Sequence, residues 1–356
     1  MTVLDSHCDT PSEILRLRDI SLDNEYGHVD VPKLLRSGVD ATFFALYTPA
    51  SMAPDRATAY ALEMLSVTKD AIAANPEHLA FASSRAEIEK NKANGLVSIL
   101  LGMENASPIQ KSLPLLREFW RMGVRYMTLT HNGDNEVADA ASHGTRWNGL
   151  SPFGREVVAE MNRLGMLIDL AHASDKTFYD VLECSTKPVV STHSCCRALA
   201  SHRRNMSDDM IRCMADRGGV IQINFYPVFL SDSFARSFEL VEAEHPEYEQ
   251  AEADYRANPA DQARRARRNG VTDILMKLER PGVSEVVDHI DHAVKVGGIE
   301  HVGIGTDFDG IAVPPAGLDD ISKLHLVFDE MSRRGYTDDQ IELVAGENFL
   351  RAMDGR

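Results

Sequence analysis

The chain has 356 residues, 44% hydrophobic and 26% charged, the make-up of a globular protein with enough apolar residues for a large core. Its formal net charge of −17, from 37 basic and 54 acidic residues, argues against nucleic acid or an anionic membrane as partner, since both need a basic face. No run approaches the roughly 18–20 apolar residues of a spanning helix. The opening MTVLDSHCDT carries no basic n-region or apolar h-region, so a cytoplasmic chain is expected. The five cysteines (Cys8, Cys184, Cys195, Cys196 and Cys213) are odd in number and show no CxxC spacing, and they read as buried reduced thiols.

In chain order, eight short apolar runs read as strands: residues 3–9, 40–48, 97–104, 126–131, 166–172, 189–193, 219–226 and 302–307. Helical patterns with apolar residues three and four apart separate most of them, at 56–74, 110–122, 157–164, 177–182 and 283–296. A further helix over 207–217 opens with Ser-Asp-Asp, which supplies an N-cap and an acidic first turn. This alternation predicts a parallel sheet covered by helices, and we expect a single-domain (β/α)8 barrel spanning 1–356. An open doubly wound sheet is the rival, but it gives no reason for metal-binding residues on so many strands. Residues 228–270, after the seventh strand, depart from the repeat as a charged helical insertion, read either as a solvated excursion or as a lid or subunit contact.

Six of the strands end on a residue that can bind a metal or move a proton, and a barrel brings such ends to one rim. His7 and Asp9 lie two apart on the first strand, so they share a face that Cys8 does not. Glu104 ends an apolar strand, where an unpaired carboxylate is costly. His172 and His193 end successive strands and should be neighbours on the rim. Each alone reads as a satisfied polar residue. Together they match two divalent cations sharing a carboxylate, with zinc favoured by the histidines. Such ions sit roughly 3.5–4 Å apart, and a hydroxide between them attacks an acyl carbon.

The motifs HCD, GMEN, YMTLTHN, LIDLAHAS, VVSTHS, SHRRNMSDDMI, NFY and HVGIGTDFDG run in the order and spacing of a known family. From Asp5 to the GENFLRAMD tail the chain closely resembles the membrane (renal) dipeptidases, binuclear zinc peptidases of the amidohydrolase superfamily. The resemblance implies two zinc ions, one on His7 and Asp9, the other on His172 and His193, with Glu104 bridging them. It implies that His131 and Arg204 handle substrate, that Tyr226 belongs to the substrate site, and that Asp307 moves protons. Arg204 would take the substrate carboxylate in a forked contact, while Arg203 reads as surface solvation and Asp309 as loop support. The HxD and Glu104 depart from the HxH and carboxylated lysine of many amidohydrolases, which points to the dipeptidase branch. Without the lipid-anchored enzymes' leader and apolar tail, the sequence resembles a soluble bacterial-type member.

The expected activity is therefore hydrolysis of L-L dipeptides, with a D residue at the C-terminal position often permitted in the family. A homodimer is common among such relatives. Two alternatives stand beside it: hydrolysis of a cyclic amide or deamination on the same barrel, and a metal-binding scaffold without catalysis. Arg204 weighs against the first, because a neutral ring gives it no partner. A full complement of competent residues weighs against the second.

Overall fold

Among the described residues, short runs of β-branched and aliphatic residues form nine parallel strands, and the chain between them coils back along the outside as helices. The structure is a computed structural model and describes residues 1–142 and 145–355. The strands are β1 (Leu4–Cys8), β2 (Ala41–Tyr47), β3 (Leu79–Phe81), β4 (Val97–Glu104), β5 (Val124–Thr128), β6 (Leu167–Asp169), β7 (Val190–Ser194), β8 (Val220–Ile223) and β9 (Val302–Ile304). Eight of them pair in the order β1-β2-β4-β5-β6-β7-β8-β9, and β3 lies off that path against β4. The seam between β9 and β1 is closed by Asp9 N donating to Phe308 O at 2.8 Å and Asp307 N to His7 O at 3.0 Å. The result is a nearly closed eight-stranded (β/α)8 barrel, as the alternation predicts.

Buried on both faces, the strands are apolar almost throughout. Leu4, Phe43, Leu100, Tyr126, Leu167, Val190 and Val220 share one apolar cluster with Phe349 and Leu350 of the C-terminal helix Asn348–Met353. Cys8, Phe44, Leu46, Ile99, Leu101, Met103, Met127 and Ile168 belong to a second, larger cluster that includes the covering helices. Local signals set the helix ends. Ser151 and Ser207 accept hydrogen bonds from Gly154 N and Met210 N, and Gly165 ends its helix in the left-handed conformation.

Two features depart from the sequence expectation. The three-residue β3 is too short to show a period and went unread. The strands predicted to run to His131, His172 and Asp307 stop at Thr128, Asp169 and Ile304, so those three residues lie on the loops just past the strand ends. His172 and Asp307 take left-handed φ of 64° and 61°, an uncommon state for such residues that turns the chain at the rim. The insertion after β8 is helical, with helices Asp232–Glu244, Glu247–Ala257 and Gln262–Leu275.

Candidate metal centre

Breaks in regular pairing aim two of the histidines. The ladder slips between Asp5 and Cys8 on β1 and between Ser191 and Ser194 on β7, around His7 and His193 respectively. Their rings then lie 3.9 Å apart, centroid to centroid. His172 Nε2 is 3.0 Å from His193 Nε2, and Asp9 Oδ2 is 3.4 Å from His7 Nε2. Glu104, in register opposite Tyr47 at the end of β4, reaches all three histidines. Its Oε1 lies 3.1 Å from His172 Nε2 and 3.5 Å from His193 Nε2, while Oε2 lies 3.7 Å from His7 Nε2.

Each histidine presents Nε2 to the centre because Nδ1 is engaged elsewhere. His7 Nδ1 lies 2.7 Å from Tyr126 Oη, His172 Nδ1 2.9 Å from Asn132 Oδ1, and His193 Nδ1 2.9 Å from Thr192 Oγ1. Thr192 in turn donates from its hydroxyl at 2.7 Å and its N–H at 2.8 Å to buried Asp169. Partners of this kind fix a ligating imidazole's tautomer and tilt. Sequence reasoning missed Tyr126, Asn132, Thr192 and Asp169. One signal was available: a Cβ on Gly102, mid-strand in β4, would fall 2.0 Å from Tyr126 Cζ. That glycine is where the Tyr126 ring passes.

Such a set suits a divalent cation. Ligand atoms of His7, Glu104 and His193 lie within 4.8 Å of one another, as do those of Glu104, His131 and His172, and those of His7, Asp9 and Asp307. His7 Nε2 and Asp9 Oδ1 are buried with no hydrogen-bond partner, a costly state that a cation would relieve. Burial, with Arg204 adding to it, keeps His172 and His193 well below the usual imidazole value, in the neutral form that ligates. Burial opposes charge on His7 too, yet Glu104, Asp9 and Asp307 outweigh it and raise that ring to about 10. Burial and the neighbouring Asp9 push Glu104 well above the carboxylate range, and burial lifts Asp307 to about 7. Carboxylates this close resist ionising together unless positive charge lies between them.

The remaining expected residues surround this centre. The His131 ring lies tilted 4.4 Å from the His172 ring and edge to face 4.8 Å from Tyr47, centroid to centroid. Asp307 Oδ2 accepts from Asn224 Nδ2 at 2.9 Å. Asp309, at the cavity's edge, holds the loop: it accepts from Arg18 at 2.7 Å, from His28 N at 2.8 Å and from Thr10 at 2.8 Å. Tyr226 meets Phe229 and Phe238 edge to face. Arg204 is buried, 6% exposed, behind the cavity-lining Phe229, with Nη2 donating to His193 O at 3.2 Å and its guanidinium 5.4 Å from the Phe229 ring centroid. Its Nε is buried with no partner. Arg203 lies outside and donates to Ser142 O at 3.0 Å. Cys195 and Cys196 are buried and donate to backbone carbonyls of Asn224 and His289, so neither serves as a ligand in this arrangement. A cavity of about 580 Å³ opens over Asp9, Glu104, His131, His172, Tyr226 and Asp307. No helix among the described residues is long and apolar enough to cross a membrane.

Residues 1–355 match the family model described as membrane dipeptidase (peptidase family M19). An uncharacterized dipeptidase of Schizosaccharomyces pombe is 32% identical over 376 residues, covering 98% of this chain and 79% of its own. The crystal structure of a probable dipeptidase, PvdM, from Pseudomonas aeruginosa superposes with a TM-score of 0.83 at 26% identity, over 100% of this chain and 95% of that one. A metallopeptidase from Rhodobacter sphaeroides, solved with a phosphinate mimic of the dipeptide L-Ala-D-Ala, shares the fold with a TM-score of 0.82 at 24% identity, over 100% and 99% of the two chains.

Proposed function

The chain belongs to the membrane dipeptidase family, peptidase family M19, and we propose that it hydrolyses free dipeptides at a centre of two zinc ions. The observation that carries the reading is the division of Glu104. One carboxylate oxygen faces His172 and His193 and the other faces His7, as a bridge between two cations requires. His7 and Asp9 would complete one ion's protein ligands and His172 and His193 the other's. When bound, the ions supply a Lewis acid for the peptide carbonyl and lower the pKa of water so that it attacks at neutral pH.

The chain's own groups do the rest. Arg204 takes the substrate's free carboxylate, which gives the orphaned Nε an acceptor and fixes the scissile bond relative to the centre. His131, beside His172, binds the carbonyl oxygen. Asp307, aligned by Asn224, receives the proton of the attacking water and passes it to the leaving amine. Tyr226 and Phe229 line the cavity beside Arg204. The dipeptide mimic bound by the Rhodobacter sphaeroides protein supports this substrate class and a D residue at the C-terminal position. All five cysteines are unpaired, which supports a reducing, cytoplasmic location.

Turnover of a free dipeptide and its C-terminally amidated counterpart tests the reading. The wild type should favour the free acid strongly, and Arg204→Ala should close most of that gap. Arg204→Lys should rescue poorly, because an ammonium cannot make the forked contact. Equal rates on both substrates would remove the carboxylate clamp and favour cyclic-amide hydrolysis instead. No turnover by metal-loaded protein would favour a scaffold.

A further inference from the structure

The cavity is walled on one side by the barrel rim and on the other by the insertion, which contributes Phe238, Glu242, Glu252, Ala253 and Arg268. This wall is seated at two places. At the β8 corner Phe234 and Phe238 pack with Leu275 and with Val313 of the loop after β9, and Phe238 also meets Tyr226. At the β1 corner the seat is ionic. Glu13, on the helix Thr10–Leu15 that follows β1, is 1% exposed and accepts from Arg16 at 2.6 Å, Arg18 at 2.8 Å and Tyr255 Oη of the insertion at 3.2 Å. Burial works against that carboxylate, but Arg18, Arg16 and Arg268 outweigh it and hold Glu13 below the usual value, ionised in the interior. Arg268 donates to Glu252 at 3.2 Å with its guanidinium 5.5 Å from the Tyr255 ring centroid. The insertion thus spans the mouth from the β8 corner, where Phe229 packs against Arg204 of the loop after β7, to the β1 corner two strands further round the rim.

We propose that this insertion sets substrate length, closing the end of the cavity away from the Arg204 carboxylate clamp, and that Tyr255 and Arg268 are positioning residues that key it onto Glu13. The proposal rests on the dipeptidase reading and adds to it the part of the chain that makes the site a dipeptide site. A dipeptide anchored at Arg204 has its amino-terminal residue toward the Glu13 corner. The insertion's wall stands on the side toward which a third residue on that end would extend. Tyr255 is 4% exposed and lies outside the cavity lining, so it reaches substrate only through the wall it holds.

The Tyr255→Phe variant removes one hydroxyl and leaves the ring. A hydrogen bond to an ionised group is worth roughly tenfold or more in an equilibrium, so the variant should loosen the seated wall measurably. With metal-loaded full-length protein, KM for L-Ala-L-Ala should rise about fivefold or more while kcat stays within about twofold, because the zinc ligands and Asp307 are untouched. Discrimination of L-Ala-L-Ala over L-Ala-L-Ala-L-Ala in kcat/KM should narrow by a similar factor. The Arg268→Met variant should behave alike, and Arg268→Lys, which keeps the charge beside Glu252, should stay nearer the wild type. KM and length discrimination within twofold of wild type in both Tyr255→Phe and Arg268→Met, with the wild type active on free dipeptides, would overturn the wall alone. A wild type inactive on every free dipeptide would overturn the dipeptidase reading itself.

Discussion

Replacing Gly102 with alanine should damage the metal centre from inside the barrel, without touching a ligand. A Cβ at this position falls 2.0 Å from Tyr126 Cζ and 2.4 Å from both Cε atoms. Carbon atoms in contact sit about 3.5–4.0 Å apart, so the ring must retreat by about 1.5 Å or more. Tyr126 is wholly buried, packed at a tilt against Phe43 at 5.1 Å, and has nowhere to go without strain. Overpacking of this kind costs roughly 1–3 kcal/mol. The displaced hydroxyl also gives up its 2.7 Å contact with His7 Nδ1, and loss of such an outer partner weakens metal binding by about 10–100-fold. Two variants separate these effects. Tyr126→Phe should lower zinc affinity, measured by competition with a chromogenic chelator, with little change in apo-protein melting. Gly102→Ala should lower both. Wild-type zinc affinity in both variants would refute the argument that Tyr126 orients His7 and that Gly102 makes room for it.

Glu104→Gln should reduce occupancy at both cations together, whereas His172→Ala should empty mainly one; metal analysis showing two tightly held ions in Glu104→Gln would rule out the bridge. Asp307→Asn keeps size and the contact with Asn224 but loses proton transfer, so kcat should fall by roughly 10²–10⁴. Metal content and melting temperature should be preserved in that variant, and near-normal kcat or loss of metal would assign Asp307 to a structural or ligating role.

Much of the barrel was legible because its strands are buried on both faces and read as apolar runs cut by helical periods. The proposed ligands stood out because polar residues at the ends of such runs are costly unless they do something. The residues that hold the ligands were not. Thr128, Thr192 and Asp169 look like ordinary strand residues, and their meaning lies in contacts across strands, such as Asp169 receiving Thr128 and Thr192 from its two neighbours. Tyr126 sits inside a strand as any core aromatic would, and only the missing side chain at Gly102, whose place its ring fills, distinguishes it. The exact reach of each strand was also hidden, since the left-handed turns at His172 and Asp307 come from tertiary contacts such as Asp307 N with His7 O at 3.0 Å. The insertion showed its helical, charged character in the sequence. Its seat on Glu13 depends on a pairing 242 residues apart that no local pattern encodes.

Titrating zinc into exhaustively chelated protein, while counting bound ions and following dipeptide hydrolysis, tests the central claim most directly. Turnover should be negligible in the apo protein, two ions should bind per chain, and full activity should appear only as the second is taken up. Full activity with one equivalent or none would contradict a centre built on Glu104 between two cations.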